Sequence, residues 1–366
     1  MIDNFKHLSE NNIRNNSLHT LSPYIGRMRA SCAKRLIEEY AIDGQPIYDP
    51  FCGSGTILLE GWGCGYEVIG SDLNKYAYVL SKGKTHPFSS EKLAHERLKK
   101  YNEYIIESSS EVSVEQVPDW VRSFYHPETL NETLAWFSLL SKNNEWFLLS
   151  CLMGILHHQR PGFLSYPSSH SAPYLRTNKF PRGDFPEMYE YRNVYTRLQS
   201  KITRSYKAIP KLDFTIDRTV YHADSSKLDL KSKRVATIIT SPPYMKALTY
   251  ARDNRLRLWF LGEDNWKDLD KQISPQKNKF LEMMERCFYK WSIHQDKNDK
   301  CIIVIGDIPI KHDDKTIELA ELLIHMASPY YILYEKYYDP IPEYKKQIKG
   351  SSSIKQETVI VLERKE

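Results

Sequence analysis

Residues 46–65 read PIYDPFCGSGTILLEGWGCG, a short apolar strand, a turn of small residues and the start of an apolar helix. Gly53 and Gly55 carry no Cβ, so the turn between strand and helix can approach a ligand closely. The helix start adds unpaired backbone N–H donors. The dinucleotide pattern GxGxxG is not met, because Leu58 stands three residues after Gly55. From the glycines alone, a plain strand-helix turn reads equally well.

The next nineteen residues repeat the order. YEVIGSDLNKYAYVLSKGK (66–84) reads as a strand ending at Asp72, then a helix. Two strand-turn-helix units in succession predict a parallel α/β sheet. Ahead of them, SPYIGRMRASCAKRLIEEYAIDG (22–44) reads as a helix with Ser22 as cap, Pro23 in the first turn and Gly44 beyond the end. After His86 the pattern becomes helical and broken by loops: a charged amphipathic helix from Ser90, a linker at 108–120, and a helical hairpin over 129–158. A long segment rich in Pro, Ser, Gly and aromatics follows, QRPGFLSYPSSHSAPYLRTNKFPRGDFP. Strands resume at RTVYHADSS, VATIITSPPY, CIIVIGD, YYILYEKYY and ETVIVLERK, with helices near 276–293 and 315–327. No helix separates the last two strands, which predicts an antiparallel pair closing a mostly parallel seven-stranded sheet. The resulting division is a tail at 1–18, a first part of the sheet domain at 19–84, a mainly helical insertion at 85–211, and a second part at 212–366.

The chain has 366 residues, 41% hydrophobic and 27% charged, with a net charge of +5. These values describe a globular protein with a sizeable core. The mild positive balance permits a polyanionic partner. Cys32, Cys52, Cys64, Cys151, Cys287 and Cys301 form no CxxC pair and no zinc-ligand spacing, so reduced thiols and a cytoplasmic setting are expected, with no metal. His157-His158 reads as a helix end. The stretch at 1–16 has no apolar core and is not read as a signal peptide. WFLLSCLMGIL (146–156) is too short to span a bilayer, so no membrane partner is expected.

Three acids stop consecutive strands. Asp72 can accept both hydroxyls of a ribose, and Asp224 in YHADSS can reach an adenine amino edge; polar strand ends of this kind bind ligand in doubly wound sheets. Asp224 also reads as a turn or helix cap. The fourth motif, TSPPY, ends an apolar strand on two prolines.

DPFCGSGT, SDLN, HADSS and TSPPY, in this order, resemble the S-adenosylmethionine-dependent amino methyltransferases over residues 19–84 and 215–366. The resemblance implies a Rossmann-like class I methyltransferase fold with S-adenosyl-L-methionine as cofactor, held by Asp49, Phe51, Gly53, Gly55, Thr56, Asp72 and Asp224. Ser241 as the first motif residue resembles the DNA cytosine-N4 enzymes, and YARDNRLRLWFLG is similar to the extension in microbial DNA methylases with SPPY. Adenine-N6 enzymes more usually carry Asp or Asn at that position. The glycine-turn half is also similar to RNA guanine-N2 methyltransferases, although Met245 stands where those carry Gly. The implied partner is DNA, and a companion restriction endonuclease is left open, as is the oligomeric state. A non-catalytic nucleic-acid-binding protein of the same fold is the other reading.

The chemistry implied for Ser241, Pro242, Pro243 and Tyr244 is physical. An exocyclic amine is a weak nucleophile because its lone pair is conjugated into the ring. Acceptors at Ser241 Oγ and the Pro242 carbonyl favour the localised lone pair, Pro243 stiffens the corner, and Tyr244 offers a face for an extruded base. No Pro-Cys nucleophile motif is present. Between Arg160 and Lys207, Arg160, Arg176, Lys179, Arg182, Arg192, Arg197, Lys201 and Arg204 alternate with Phe and Tyr, a composition suited to phosphate contacts and base stacking. Lys345, Lys346 and Lys349, in EYKKQIKGSSSIKQ, are expected to close on a nucleic-acid backbone.

Overall fold

Ile47, Tyr48 and Asp49 form β1 (Ile47–Asp49), and all three are buried. A strand buried throughout must be covered on both faces, as parallel strands with crossover helices are. The computed structural model describes residues 16–108, 114–170, 172–243, 249–273, 276–306, 309–312, 315–340 and 356–366. After β1 come β2 (Val68–Asp72), β3 (Arg218–His222), β4 (Thr237–Thr240) and β5 (Lys300–Gly306), all mutually parallel. A hairpin of β6 (Pro309–His312) and β7 (Lys315–Glu318) stands apart as a two-stranded sheet. β8 (Tyr331–Pro340) and β9 (Gln356–Arg364) complete the main sheet, whose seven strands run β3-β2-β1-β4-β5-β9-β8. β9 is antiparallel to both neighbours. The expected mostly parallel, Rossmann-like sheet with an antiparallel closing strand is therefore present.

The chain leaves β1 for β2 and β3 on one side, then returns to β4 on the other. Ligands in such sheets bind outside the carboxyl ends of the strands, where the order reverses. That point lies between the ends of β1 and β4, beside Asp49 and Thr240.

The sheet is flanked by α1 (Ala30–Tyr40), α2 (Thr56–Gly63) and α3 (Lys75–Thr85), the last capped by the Asn74 side chain on the Tyr76 N–H. The insertion contributes α4 (Glu91–Ser108), α5 (Asp119–Arg122), α6 (Pro127–Lys142), α7 (Trp146–Ile155) and α8 (Val194–Tyr206). After β4 follow α9 (Tyr250–Asp253), α10 (Arg255–Phe260), α11 (Trp266–Ile273), α12 (Lys277–Ser292) and α13 (Leu319–Ala327). Residues 147–155 of α7 are all buried, and the helix packs against α3. Leu58, Tyr76 and Val79 of the sheet-flanking helices share one hydrophobic cluster with Phe147, Leu152 and Leu198 of the insertion. Among the described residues no helix is long and apolar enough to cross a membrane.

Three local expectations need correction. The helix expected from Ser22 begins only at Ala30, because Gly26 sits at φ 75° and turns the chain out of helical geometry. Ser22 does not cap; its hydroxyl is bonded to Tyr76 Oη at 2.7 Å. The expected loose tail also ends early. Ser17–Thr20 forms a 3₁₀ turn with Leu18 and His19 buried, while residues 1–15 fall outside the described set. The helix expected from 315 starts at Leu319, since the β-prone Thr316 and Ile317 pair with β6 instead.

Candidate active site

The glycine turn is held from three sides. Gly53 and Gly55 have φ of 48° and 71°, values that residues with a Cβ rarely adopt. A Cβ on Gly55 would stand 2.8 Å from Ser81 Oγ on α3. That hydroxyl donates to the Gly53 carbonyl at 2.9 Å, and the Cys52 N–H donates to the Ser71 carbonyl at 3.0 Å. The turn is thus a preformed concave surface rather than a loose loop.

Asp72, at the end of β2, accepts the Gly53 N–H on Oδ2 at 2.9 Å and the Asn74 N–H on Oδ1 at 2.8 Å. A carboxylate has about four acceptor positions, so both oxygens keep capacity for a diol. Burial pushes its pKa up to about 6, and the backbone N–H groups of Asn74, Gly53 and Leu73 pull against that rise. Asp49, at the end of β1, is also buried and is pushed up to about 7 by desolvation, with the Thr240 hydroxyl bond opposing. Asp224 uses Oδ1 on the Ser226 N–H and hydroxyl, at 3.0 and 2.7 Å. Burial pushes its pKa up, but these bonds and Lys227 outweigh it and leave the group below the usual range. The turn role expected of Asp224 is therefore realised, and it still lines the cleft.

One cleft brings most of the expected site together. Asp49, Phe51, Gly53, Thr56, Asp72 and Asp224 line it, as do Ser241 and Pro243 from the far side of the strand reversal. The cleft is open to solvent on one side. Gly55 and Pro242 do not line it; Gly55 shapes the turn beneath, and Pro242 is buried behind Ser241. Tyr244, Lys345, Lys346 and Lys349 lie outside the described residues.

The cleft also has a wall that sequence reasoning missed. Residues 24–28 contribute Tyr24, Gly26, Arg27 and Met28. A Cβ on Gly53 would come within 3.4 Å of the Tyr24 ring, so Tyr24 lies directly over the glycine turn. Its ring stacks on Tyr250 at 6.2 Å between centroids. Pro23 and Gly26 inside the supposed helix were the available signal. Gln272, Ile273 and Met283 close the remaining side from α11 and α12.

The basic residues of the insertion separate into three groups. Arg192 is buried, its guanidinium donating to the carbonyls of Phe163, Ser165 and Met188, so it holds the long loop together. Arg176, Lys179 and Arg182 lie over the rings of Tyr174, Phe180 and Tyr189 and do not line the cofactor cleft. Arg160 is exposed at the mouth of a second groove, next to the first. His157 lies just past the end of α7, with its ring bonded to the Ser169 carbonyl at 2.8 Å. Among the described residues no group of three or more His, Cys, Asp or Glu side chains could hold a metal ion.

Residues 25–106 match the family described as UPF0020: RMKL-like, methyltransferase domain. The chain is 38% identical over 96 residues to Type II methyltransferase M.MvaI of Kocuria varians, covering 25% of this chain and 21% of that protein. It is 23% identical over 281 residues to Type II methyltransferase M.BsoBI of Geobacillus stearothermophilus, covering 69% of this chain and 54% of that one. The chain thus spans about half or less of the length of these relatives. Among solved structures, TrmN from Thermus thermophilus aligns over 96% of this chain and 53% of its own, with 12% identity and a TM-score of 0.40. The cleft of this methyltransferase fold, lined by the glycine turn and the Asp72 carboxylate, fits S-adenosyl-L-methionine as its cofactor.

Proposed function

We propose that this protein transfers a methyl group from S-adenosyl-L-methionine to the exocyclic amine of an extruded DNA base, cytosine N4. The observation that carries the reading is that Ser241 and Pro243 open into the same cleft as the glycine turn, Asp72 and Asp224. Acceptors for an amine and a seat for a nucleoside cofactor then share one cavity at the strand reversal.

In this mechanism the glycine turn and Asp72 orient the cofactor, which supplies an electrophilic methyl group. Ser241 Oγ accepts one amine proton and the Pro242 carbonyl the other, which localises the nitrogen lone pair toward the methyl carbon. Ser241 is half-buried, so the proton released from nitrogen leaves along its hydrogen bond to solvent. Tyr244 stacks on the base. Alignment of the two reactants supplies most of the acceleration. Arg160, Arg176, Lys179, Arg182 and the lysines at 345, 346 and 349 contact phosphates, and the inserted region 85–211 reads the target. The proposal includes DNA as the partner and a paired restriction endonuclease, as the Type II names of the relatives suggest.

The test is transfer of labelled methyl onto DNA and RNA, followed by mass analysis of the digested nucleosides. N4-methylcytosine from DNA is the expected product. N6-methyladenine, or label in RNA alone, overturns the cytosine assignment; no label in either acid supports a binding protein of the same fold.

A further inference from the structure

A second groove adjoins the cofactor cleft, with Tyr24 and Arg27 lining both. Its volume is about 750 Å³, in the range of small-ligand sites. Among the described residues its charged lining is entirely of one sign: Arg27, Arg160, Lys201 and Arg204. Lys201 is buried, with Nζ donating to the Thr20 carbonyl at 2.8 Å. An ammonium has three N–H groups, so two remain for a ligand.

The charge is not balanced from behind either. Arg257 is 1% exposed; its Nε donates to the Met153 carbonyl at 3.2 Å and its Nη1 to Asn254 Oδ1 at 3.1 Å, and Asn254 lines the groove. Among the described residues its Nη2 has no hydrogen-bond partner and the guanidinium makes no ion pair. A buried cation without a counter-charge is costly, and an anion nearby relieves that cost. His170, also in the lining, reports the same field. Its pKa falls to about 4 through burial first, then through His158, Arg257, Arg160 and Lys201, all acting in one direction. Apolar and aromatic surface sits among these charges, with Phe163 stacked on His158 at 4.7 Å between ring centroids.

We propose that this groove binds the phosphodiester backbone of a single nucleic-acid strand, through Arg27, Arg160, Lys201 and Arg204, next to the nucleotide presented to the cofactor cleft. The assignment rests on the function proposed above for its biological setting, while the anion chemistry stands on the groove itself. Phosphates neutralise the four cations, and Phe163 offers a ring face on which a neighbouring base stacks.

The experiment uses a fluorescein-labelled abasic oligodeoxynucleotide, which presents phosphodiesters without bases, and the full chain with Arg160→Ala and Arg204→Ala combined. Binding is followed by anisotropy across a salt series, beside calorimetric titration of S-adenosyl-L-methionine. The variant is expected to lose about tenfold or more in oligonucleotide affinity, and the slope of log affinity against log salt to flatten by ~1.4, two single-strand contacts. Cofactor affinity stays at the wild-type value, which shows that the variant is folded. The His170 imidazole, followed by NMR, is expected to titrate at higher pH once the oligonucleotide is bound to the wild type. An unchanged salt slope in the variant, or displacement of the oligonucleotide by millimolar inorganic phosphate, overturns the strand assignment. Because the oligonucleotide lacks bases, the outcome is independent of turnover. Reduced binding with no methyl transfer to any acid keeps the groove and removes the proposed reaction; methyl transfer with an unchanged slope does the reverse.

Discussion

The Thr240 hydroxyl donates to Asp49 Oδ1 at 2.7 Å, between the carboxyl ends of β4 and β1. Both side chains are buried, and the Phe51 N–H points at the same pair, 3.3 Å from each acceptor. This bond ties the strand that carries Ser241-Pro242-Pro243 to the strand that carries the glycine turn. Replacing Thr240 by Val removes a donor to a buried carboxyl, which costs about 1–3 kcal/mol. Urea unfolding at neutral pH measures that loss, and the variant's Asp49 is expected to hold its proton to still higher pH.

The same carboxyl makes stability depend on pH. In the folded chain Asp49 is raised from 3.8 to about 7. A folded pKa above the unfolded one means that the native state binds the extra proton, so the contribution is complete below pH 3.8 and is lost as pH rises through about 7. Asp72, raised to about 6, adds the same sign over a narrower window. Asp49→Asn is expected to flatten the fall in stability between pH 4 and 7, as followed by denaturant midpoints across that range. A wild-type curve that rises through this window contradicts the burial argument.

Lys84 behaves oppositely. It is fully buried on α3, its Nζ has no partner, and burial lowers its pKa to about 7. Here the unfolded state binds the extra proton between about 7 and 10.5, so stability gains as pH rises through that window and the charge is a burden below it. Lys84→Met is expected to raise the melting temperature at pH 6 and to leave it little changed at pH 10. Differential scanning calorimetry at the two values checks the sign.

Cofactor affinity tests the glycine turn. Asp72→Ala should cost ~1.5–3 kcal/mol in binding of S-adenosyl-L-methionine, the loss of charge-assisted acceptors. Gly53→Val should abolish binding, because the new side chain meets Tyr24 at φ 48°. Tyr24→Ala should weaken binding as well, and Tyr24→Phe should retain it if the ring face is what covers the turn. Wild-type titrations in all of these would remove the site assignment.

Turnover should separate from cofactor binding at Ser241. Ser241→Ala removes one acceptor at the reacting amine, with kcat expected to fall by about two orders of magnitude while cofactor affinity holds. Equal losses in both quantities would make the residue structural.

Much of the sheet was legible locally. The runs at 46–49, 68–72, 218–222 and 237–240 are short, rich in β-prone residues and each followed by a turn, and these features lie within a few residues of one another. Parallel pairing followed from the alternation with helices, and the antiparallel closure from the missing helix between β8 and β9. The acids at strand ends were visible for the same reason, since Asp49 and Asp72 sit where each run stops. What the tertiary structure decided involves partners far apart in the chain. Ser22–Arg29 carries helix signals, yet Gly26 bends it and Tyr24 gains a place over Gly53, a contact no local window contains. The insertion read as mainly helical, and only packing shows that α7 is buried on every side and shares its core with α3. The row of basic residues was visible, whereas its division was not: Arg192 satisfies loop carbonyls, and Arg160 and Arg204 join Arg27 across a groove. Local spacing sets which backbone shape a segment prefers; packing against distant surface, worth more than a single turn's preference, sets where its side chains end.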